Sequence, residues 1–488
     1  MPPRVERDTP EMNKNRLITT IAAAVLAVST TGMAQAASLL EIYQQALQSD
    51  PLIHEAESRR LAAMEANPQA RGLLFPQIQG SASVQTSESE GNQFVVTDAF
   101  VGAIPFEGDS DDKNWNINLR QSIFRWDQVV GLQQANKRVA QAEADYEAAQ
   151  QDLIIRVATR YFDVLGAEDI LTSIHADRQA IARQLEQARQ RFEVGLIAIT
   201  DVQESQAAYD QAVAAEIGAK RSLATARYFL REITGEYVSS LSAPKEDLPL
   251  QSPNPSDENS WIDLALNQNL ALMSSRLSEE IARKEIAFRR TGHYPTVELV
   301  AGRRFNESEG SRTFGTGPAR PAEFDSTNDF VGLELSLPIF SGGAVSSRVR
   351  EAVYLHRASL EQVQRVTRET ERATRDAYLG VLAEISRVNA LKQAVQSSQT
   401  ALEATQAGFE VGTRTIVDVL NSQRDLYTAI TNYYSSRYAY IGNVLLLKQA
   451  AGMLRVQDLE EIDRWLEDRR PPEEVIAEDE AKAAEGNN

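Results

Sequence analysis

"FEVGLIAITDVQ" at residues 192–203 and "FEVGTRTIVDVL" at residues 409–420 agree at seven of twelve positions, 217 residues apart. Sliding the chain over itself by about that offset aligns more. "LFPQIQ" (74–79) meets "HYPTVE" (293–298), "LRQSIF" (119–124) meets "LSLPIF" (335–340), and "REITG" (231–235) meets "KQAAG" (448–452). Each copy reads as a helix, a strand pair, a very long helix, the tip phrase and a return helix. The first copy spans 37–235, with strand pair 76–123, long helix 127–194 and return helix 199–235. A linker at 236–258 leads to the second copy at 259–454, with strand pair 295–339, long helix 343–410 and return helix 415–451.

The long helices carry a seam. Leu132, Ala135, Val139, Ala142, Tyr146, Ala149 and Leu153 alternate spacings of three and four, the 3.5-residue period of a supercoil. After a slip near Val157 the seam resumes at Leu171, Ile174, Ile181, Leu185, Ala188 and Phe192. Positions 217 residues on are Val388, Leu391, Ser398, Leu402, Thr405 and Phe409, so both copies share one phase. At 1.5 Å rise, 68 residues from Asp127 to Val194 make a rod of about 100 Å.

Composition agrees with helices seamed by small residues: hydrophobic residues are 42% and aromatic ones only 7%. A net charge of -19 disfavours nucleic acid as a partner. The chain has no Cys, which removes disulfides, thiol catalysis and lipid attachment through Cys. "KNR" (14–16), the apolar run that follows and "AQA" (34–36) form a secretory leader over 1–36, with Met12 an alternative start. Past the leader no stretch is apolar enough for a spanning helix.

A β-barrel stays open to it. Ile78, Gly80, Ala82 and Val84 alternate with Gln77, Gln79, Ser81 and Ser83; Trp115, Ile117 and Leu119 alternate with Asn114, Asn116 and Asn118. Val331, Leu333, Leu335, Leu337 and Ile339 alternate with Gly332, Glu334 and Ser336. Four such strands cannot close a barrel, and an open edge in lipid leaves backbone groups unsatisfied. Membrane strands therefore require an oligomer of about 8, 12 or 16 strands. Phe75, Phe124, Trp126, Tyr294 and Phe340 stand where strands meet helices, the level of an interfacial girdle. The polar segments 86–113 and 306–328 read as loops on the far side, and 455–488 as an acidic, disordered tail.

"RFEVGLIAITDVQESQAAYD", "GFEVGTRTIVDVLNSQRDLY", "REITG" and "LPIFSGGAVSSR" together resemble the TolC family of outer-membrane efflux and type I secretion channels, from about Ser38 to Leu454. The resemblance implies a homotrimer in the outer membrane. Twelve strands form one barrel in the lipid, and a twelve-helix coiled-coil α-barrel continues it across the periplasm. It also implies a periplasmic adaptor and an inner-membrane transporter as partners, and no cofactor.

Gly195 and Gly412 supply the permissive backbone for the helix turns. Beside them, Leu196 and Thr413 are where the resemblance places adaptor docking. It also implies a periplasmic gate in which Arg414 links to Asp201 and Thr200, with Asp418 forming a ring of carboxylates. Two positions depart from the pattern: Phe409 replaces a Tyr, and Asn421 replaces an Asp, with Glu204 at the matching place of the first copy. An enzyme is disfavoured, since the His residues 54, 175, 293 and 356 are scattered and no phosphate-cradling loop follows a strand. A periplasmic coiled-coil adaptor or tether without its own channel is the alternative.

Overall fold

A computed structural model of the chain describes residues 36–97 and 100–485, so the leader expected at 1–36 lies outside it except for Ala36. The chain begins with α1 (Leu39–Ser49), α2 (Pro51–Met64) and α3 (Ala66–Gly72), then β1 (Gln77–Thr97) and β2 (Phe100–Phe124). The hairpin α4 (Trp126–Glu193) and α5 (Ile199–Thr234) follows, then the short strand β3 (Ala243–Pro244). The second copy runs α6 (Glu258–Gln268), α7 (Leu270–Arg290), β4 (Thr296–Phe314), β5 (Arg320–Ser336), α8 (Ala344–Glu410) and α9 (Ile416–Ala450). The chain continues with α10 (Val456–Asp463), β6 (Leu466–Glu467) and α11 (Pro472–Glu485).

Both long helices begin beside the sheet and run to a tip. On the sheet side α2 and α3 pack along α4, held by Arg60–Glu143 at 3.3 Å and Asn67–Asn136 at 2.6 Å. There α7 lies between α4 and α8: Lys137 pairs with Glu280 at 2.7 Å, and His356 meets Glu279 at 2.6 Å. On the tip side α5 takes over the packing against α4, and α9 that against α8. The seam residues Leu171, Ile181, Leu185 and Ala188, with Val388 and Leu402 in the second copy, are buried.

The sheet has order β1-β2-β4-β5, every pair antiparallel, and leaves β1 and β5 as open edges. Its register sorts the side chains by face. Ile78, Leu119, Ala301 and Val331 share one row; two residues further out are Gly80, Ile117, Arg303 and Asp329, then Ala82, Trp115, Phe305 and Thr327. Trp115 and Phe305 stack with centroids 5.9 Å apart, a second aromatic level that the alternation alone did not announce. Just inside it Arg303 and Asp329 neutralise each other through two bonds of 2.6 Å. The opposite face is wet: Asn116 donates to Ser81 at 2.6 Å and accepts from Asn118 at 2.7 Å. At the helix side Phe75, Phe124, Trp126, Tyr294 and Phe340 are all exposed, as a girdle requires. The row of Phe124, Val297 and Leu335 and the row of Trp115, Phe305 and Thr327 stand about 26 Å apart along the strands.

The segments 86–113 and 306–328 are not loops. Apart from the turn around Gly315, the described residues of both segments continue the strands, and β1 pairs with β2 out to Thr97 and Phe100. Polar side chains bridge the ladder there: Thr86 donates to Asp111 at 2.6 Å, the hydroxyls of Ser87 and Ser110 meet at 2.9 Å, and Lys113 pairs with Glu307 at 2.9 Å. Strand pairing needs no apolar face once its neighbours supply such cross-strand partners.

Residues 455–485 are not disordered either. Leu459, Ile462, Leu466 and Ile476 are buried in the main core, with Tyr161, Phe162 and Tyr438. The strand β6 pairs with β3 of the expected linker, and the Asp463 carboxylate accepts from the Leu39 N–H at 3.0 Å. Arg469 reaches the buried Asp169, which also accepts from the Tyr438 hydroxyl. The acidic composition concealed apolar residues spaced so as to reach the core.

Candidate functional site at the helix tips

The two tips are built by one backbone device. Gly195 and Gly412 have φ of 75° and 80°, and no atom lies within 4 Å of where a Cβ would stand. The Leu196 N–H donates to the Arg191 carbonyl at 2.8 Å and the Gly195 N–H to that of Phe192 at 2.9 Å. In the second copy Thr413 donates to Gly408 at 2.8 Å and Gly412 to Phe409 at 3.1 Å. This paired closure consumes carbonyls that would otherwise be orphaned at the helix end. Leu196 and Val411 are about three-quarters exposed, and Thr413 is exposed too.

The side chains then diverge. Ala198 gives α5 no side-chain cap, whereas Thr415 and Asp418 form a reciprocal capping box on α9. The Thr415 N–H and hydroxyl both donate to one Asp418 oxygen, at 2.9 and 3.0 Å. Those bonds, the backbone one foremost, and the nearby Arg414 charge hold the Asp418 carboxyl below the usual carboxylate range. Expected as a free ring carboxylate, Asp418 is thus also a structural cap.

Arg414 is exposed, and among the described residues its guanidinium has no ion pair or hydrogen bond within the chain. Its stem lies across Gly408, where a Cβ would fall 2.8 Å from the Arg414 Cγ. Thr200 and Asn421 are exposed and Asp201 is half-buried. Phe409 packs with Leu402, Val419 and Leu426, and the Arg191 guanidinium stands 5.0 Å from its ring centroid. Arg191, Gly408 and the buried Gln423 escaped the sequence reading; a residue-by-residue comparison of the copies would have flagged the first two, which occupy one aligned position.

Two long helical hairpins with packed apolar seams under an open-edged sheet, apolar on one face and wet on the other, define a subunit of a membrane-spanning tube. The family model described as outer membrane efflux protein matches residues 42–236 and 261–453, and the chain belongs to that family. It is 36% identical over 447 residues to outer membrane protein TolC of Vibrio cholerae, covering 91% of this chain and 97% of that one. It is 28% identical over 454 residues to the alkaline protease secretion protein AprF of Pseudomonas aeruginosa, covering 92% and 91%. The crystal structure of the outer membrane protein VceC of Vibrio cholerae superposes with a TM-score of 0.67 at 21% identity, over 85% of this chain and 96% of that one. The chain is therefore a channel subunit of the outer membrane extending into the periplasm, and not an enzyme. It serves as an exit duct, and channels of this kind are trimers that work with adaptors and inner-membrane transporters.

Proposed function

We propose that three copies of this chain form a duct that is shut at the periplasmic tips and opened when an adaptor docks beside Leu196 and Thr413. The exposed, unpartnered Arg414 is the observation that supports this reading: in a chain with an acidic balance, a guanidinium left bare at the tip seeks a carboxylate on a neighbouring copy. Asp201, half-buried at the start of α5, and Thr200 beside it are the partners. Asp418 rings the same level, with Asn421 neutral one turn on. Each wet ion pair is worth only about 0–1 kcal/mol, so the latch is held by several and released by modest binding energy. Cargo comes from an inner-membrane transporter, and the relatives support both efflux and protein secretion. The lipid contacts are those of the outer leaflet and inner leaflet against the two aromatic levels.

The test is the conductance of purified trimers in planar bilayers. Arg414→Glu raises it severalfold on this reading, and an unchanged conductance with intact heat-resistant trimers rejects the latch. A soluble monomer in the periplasm would instead support the tether.

A further inference from the structure

Glycine inside a long helix weakens it relative to alanine, so its presence there calls for a reason. Gly166 of α4, Gly218 of α5 and Gly442 of α9 all line one groove of about 1020 Å³ between those three helices. A Cβ at Gly218 or Gly442 would meet no atom within 4 Å, and one at Gly166 would reach only the Tyr438 ring, at 3.8 Å. Gly380 of α8 is different. There a Cβ would fall 2.9 Å from the Asn443 Oδ1, so that glycine lets two helices close up, whereas the three in the groove keep space open.

The walls are aromatic at Phe162 and Tyr438, which stack with centroids 5.6 Å apart, and at Phe229, whose ring centroid lies 4.7 Å from the Arg160 guanidinium. Asp163 takes up part of the Arg160 charge at 3.5 Å. Arg221, also on the groove, is exposed, and among the described residues its guanidinium has no ion pair or hydrogen bond within the chain. Two guanidinium groups against one carboxylate leave this rim positive, in a chain whose net charge is -19. Adding 217 to Arg160, Asp163 and Arg221 gives Ala377, Gly380 and Tyr438, so these charges are no part of the frame that the two copies share.

The groove faces the bore. On α4, Tyr161 donates to the Ala37 and Ser242 carbonyls at 3.1 and 2.6 Å, and Glu168 is joined through Arg227 to Glu473 of α11. That face of α4 carries the belt formed by α1, β3, β6, α10 and α11. Asp163 stands two residues from Tyr161, about 200° round the helix, and Gly166 and Ile170 continue its side. A belt on the inside would plug the duct; it lies outside, and the groove opens inward.

We propose that this groove is a cargo-binding site on the wall of the duct and that it takes amphipathic organic anions. The apolar body lies against Phe162, Phe229 and Tyr438, and a carboxylate or sulfonate head pairs with Arg221. The volume matches the top of the range of about 300–1,000 Å³ usual for small-molecule sites. Aromatic walls favour flat bodies, and a guanidinium presents the fork of donors that suits a carboxylate. The site rests on the chain's place in a duct and is independent of the latch at the tips.

The probe is 4-benzoylbenzoate, a two-ring photoreactive ketone with one carboxylate, irradiated with trimers in lipid nanodiscs and mapped by peptide mass spectrometry. Its uncharged counterpart is 4-methylbenzophenone. The carboxylate probe should label α4, α5 and α9 around Phe162, Phe229 and Tyr438 saturably, and roughly 5-fold more than the neutral one at equal free concentration. Arg221→Gln removes that preference. Gly218→Leu and Gly442→Leu, which fill the groove, abolish labelling of these peptides while heat-resistant trimers persist. Labelling confined to the strands, or labelling that survives both leucine variants, overturns the site. Equal labelling of the groove by the two probes overturns the anionic class. Loss of trimers in both leucine variants would show that a neighbouring copy fills the groove, and overturns the site as well.

Discussion

At the first tip Ile197 packs with Leu185 and Val202, and Ala198 opens α5 with a bare backbone. At the second, the aligned residues are Arg414, lying exposed across Gly408, and Thr415, locked to Asp418. Six positions before Ile197 and Arg414 the exchange is reversed, with Arg191 in the first copy and Gly408 in the second. The turn itself is common to both, because it depends on backbone hydrogen bonds and one glycine. What the copies have divided between them is charge: each contributes one arginine near its tip, on opposite sides of the turn.

The glycines offer the largest test of that common frame. Gly195→Val and Gly412→Val each force a β-branched residue into the left-handed region, at a cost of about 1–3 kcal/mol per chain. Thermal dissociation of the trimer should fall in midpoint by similar amounts for both; sensitivity at only one tip would break the equivalence of the two turns. A smaller effect tests the divergence. Thr415→Ala should cost about 1 kcal/mol per chain, and Ala198→Thr should recover a comparable amount by offering Asp201 a capping partner. Amide exchange in the first turns of α5 and α9 reads this directly, and equal protection in the parent protein would contradict it.

Acid gives the smallest effect and a sign. Asp418 titrates below its ordinary value, so its contribution is present above the usual carboxylate range and is lost as pH falls through the depressed folded value. Exchange in the first turn of α9 should therefore rise below about pH 4, while α5, without a side-chain cap, supplies the internal reference. Acid-independent exchange in α9 would show that the capping box carries no weight.

Much of this frame was legible beforehand. The long helices begin and end within one residue of the sequence boundaries, since a seam of three-and-four spacing stops where Gly195 and Gly412 stop it. The strand faces were legible too, because alternation is a local property. Three things were not. The outward strand extensions looked like loops, as Ser87 and Ser110 or Thr86 and Asp111 show their pairing only across the ladder. The buried Leu459 and Ile462 were hidden among acids. Arg191 and Phe409 are 218 residues apart, and only the folded hairpins bring them together.

The bond from the Leu39 N–H to Asp463 spans 424 residues, and it joins the first described helix to the last third of α10. A chain exported N-terminus first presents α1 long before its partner emerges. Contacts of such separation close late, because the loop entropy between them is met before they give anything back. The waist of the molecule, where α1, β3, β6 and α10 meet, is thus timed as the final step of folding a subunit. Until it closes, Leu459 and Ile462 of α10 remain apolar surface in the periplasm, a window in which a folding helper would find its client.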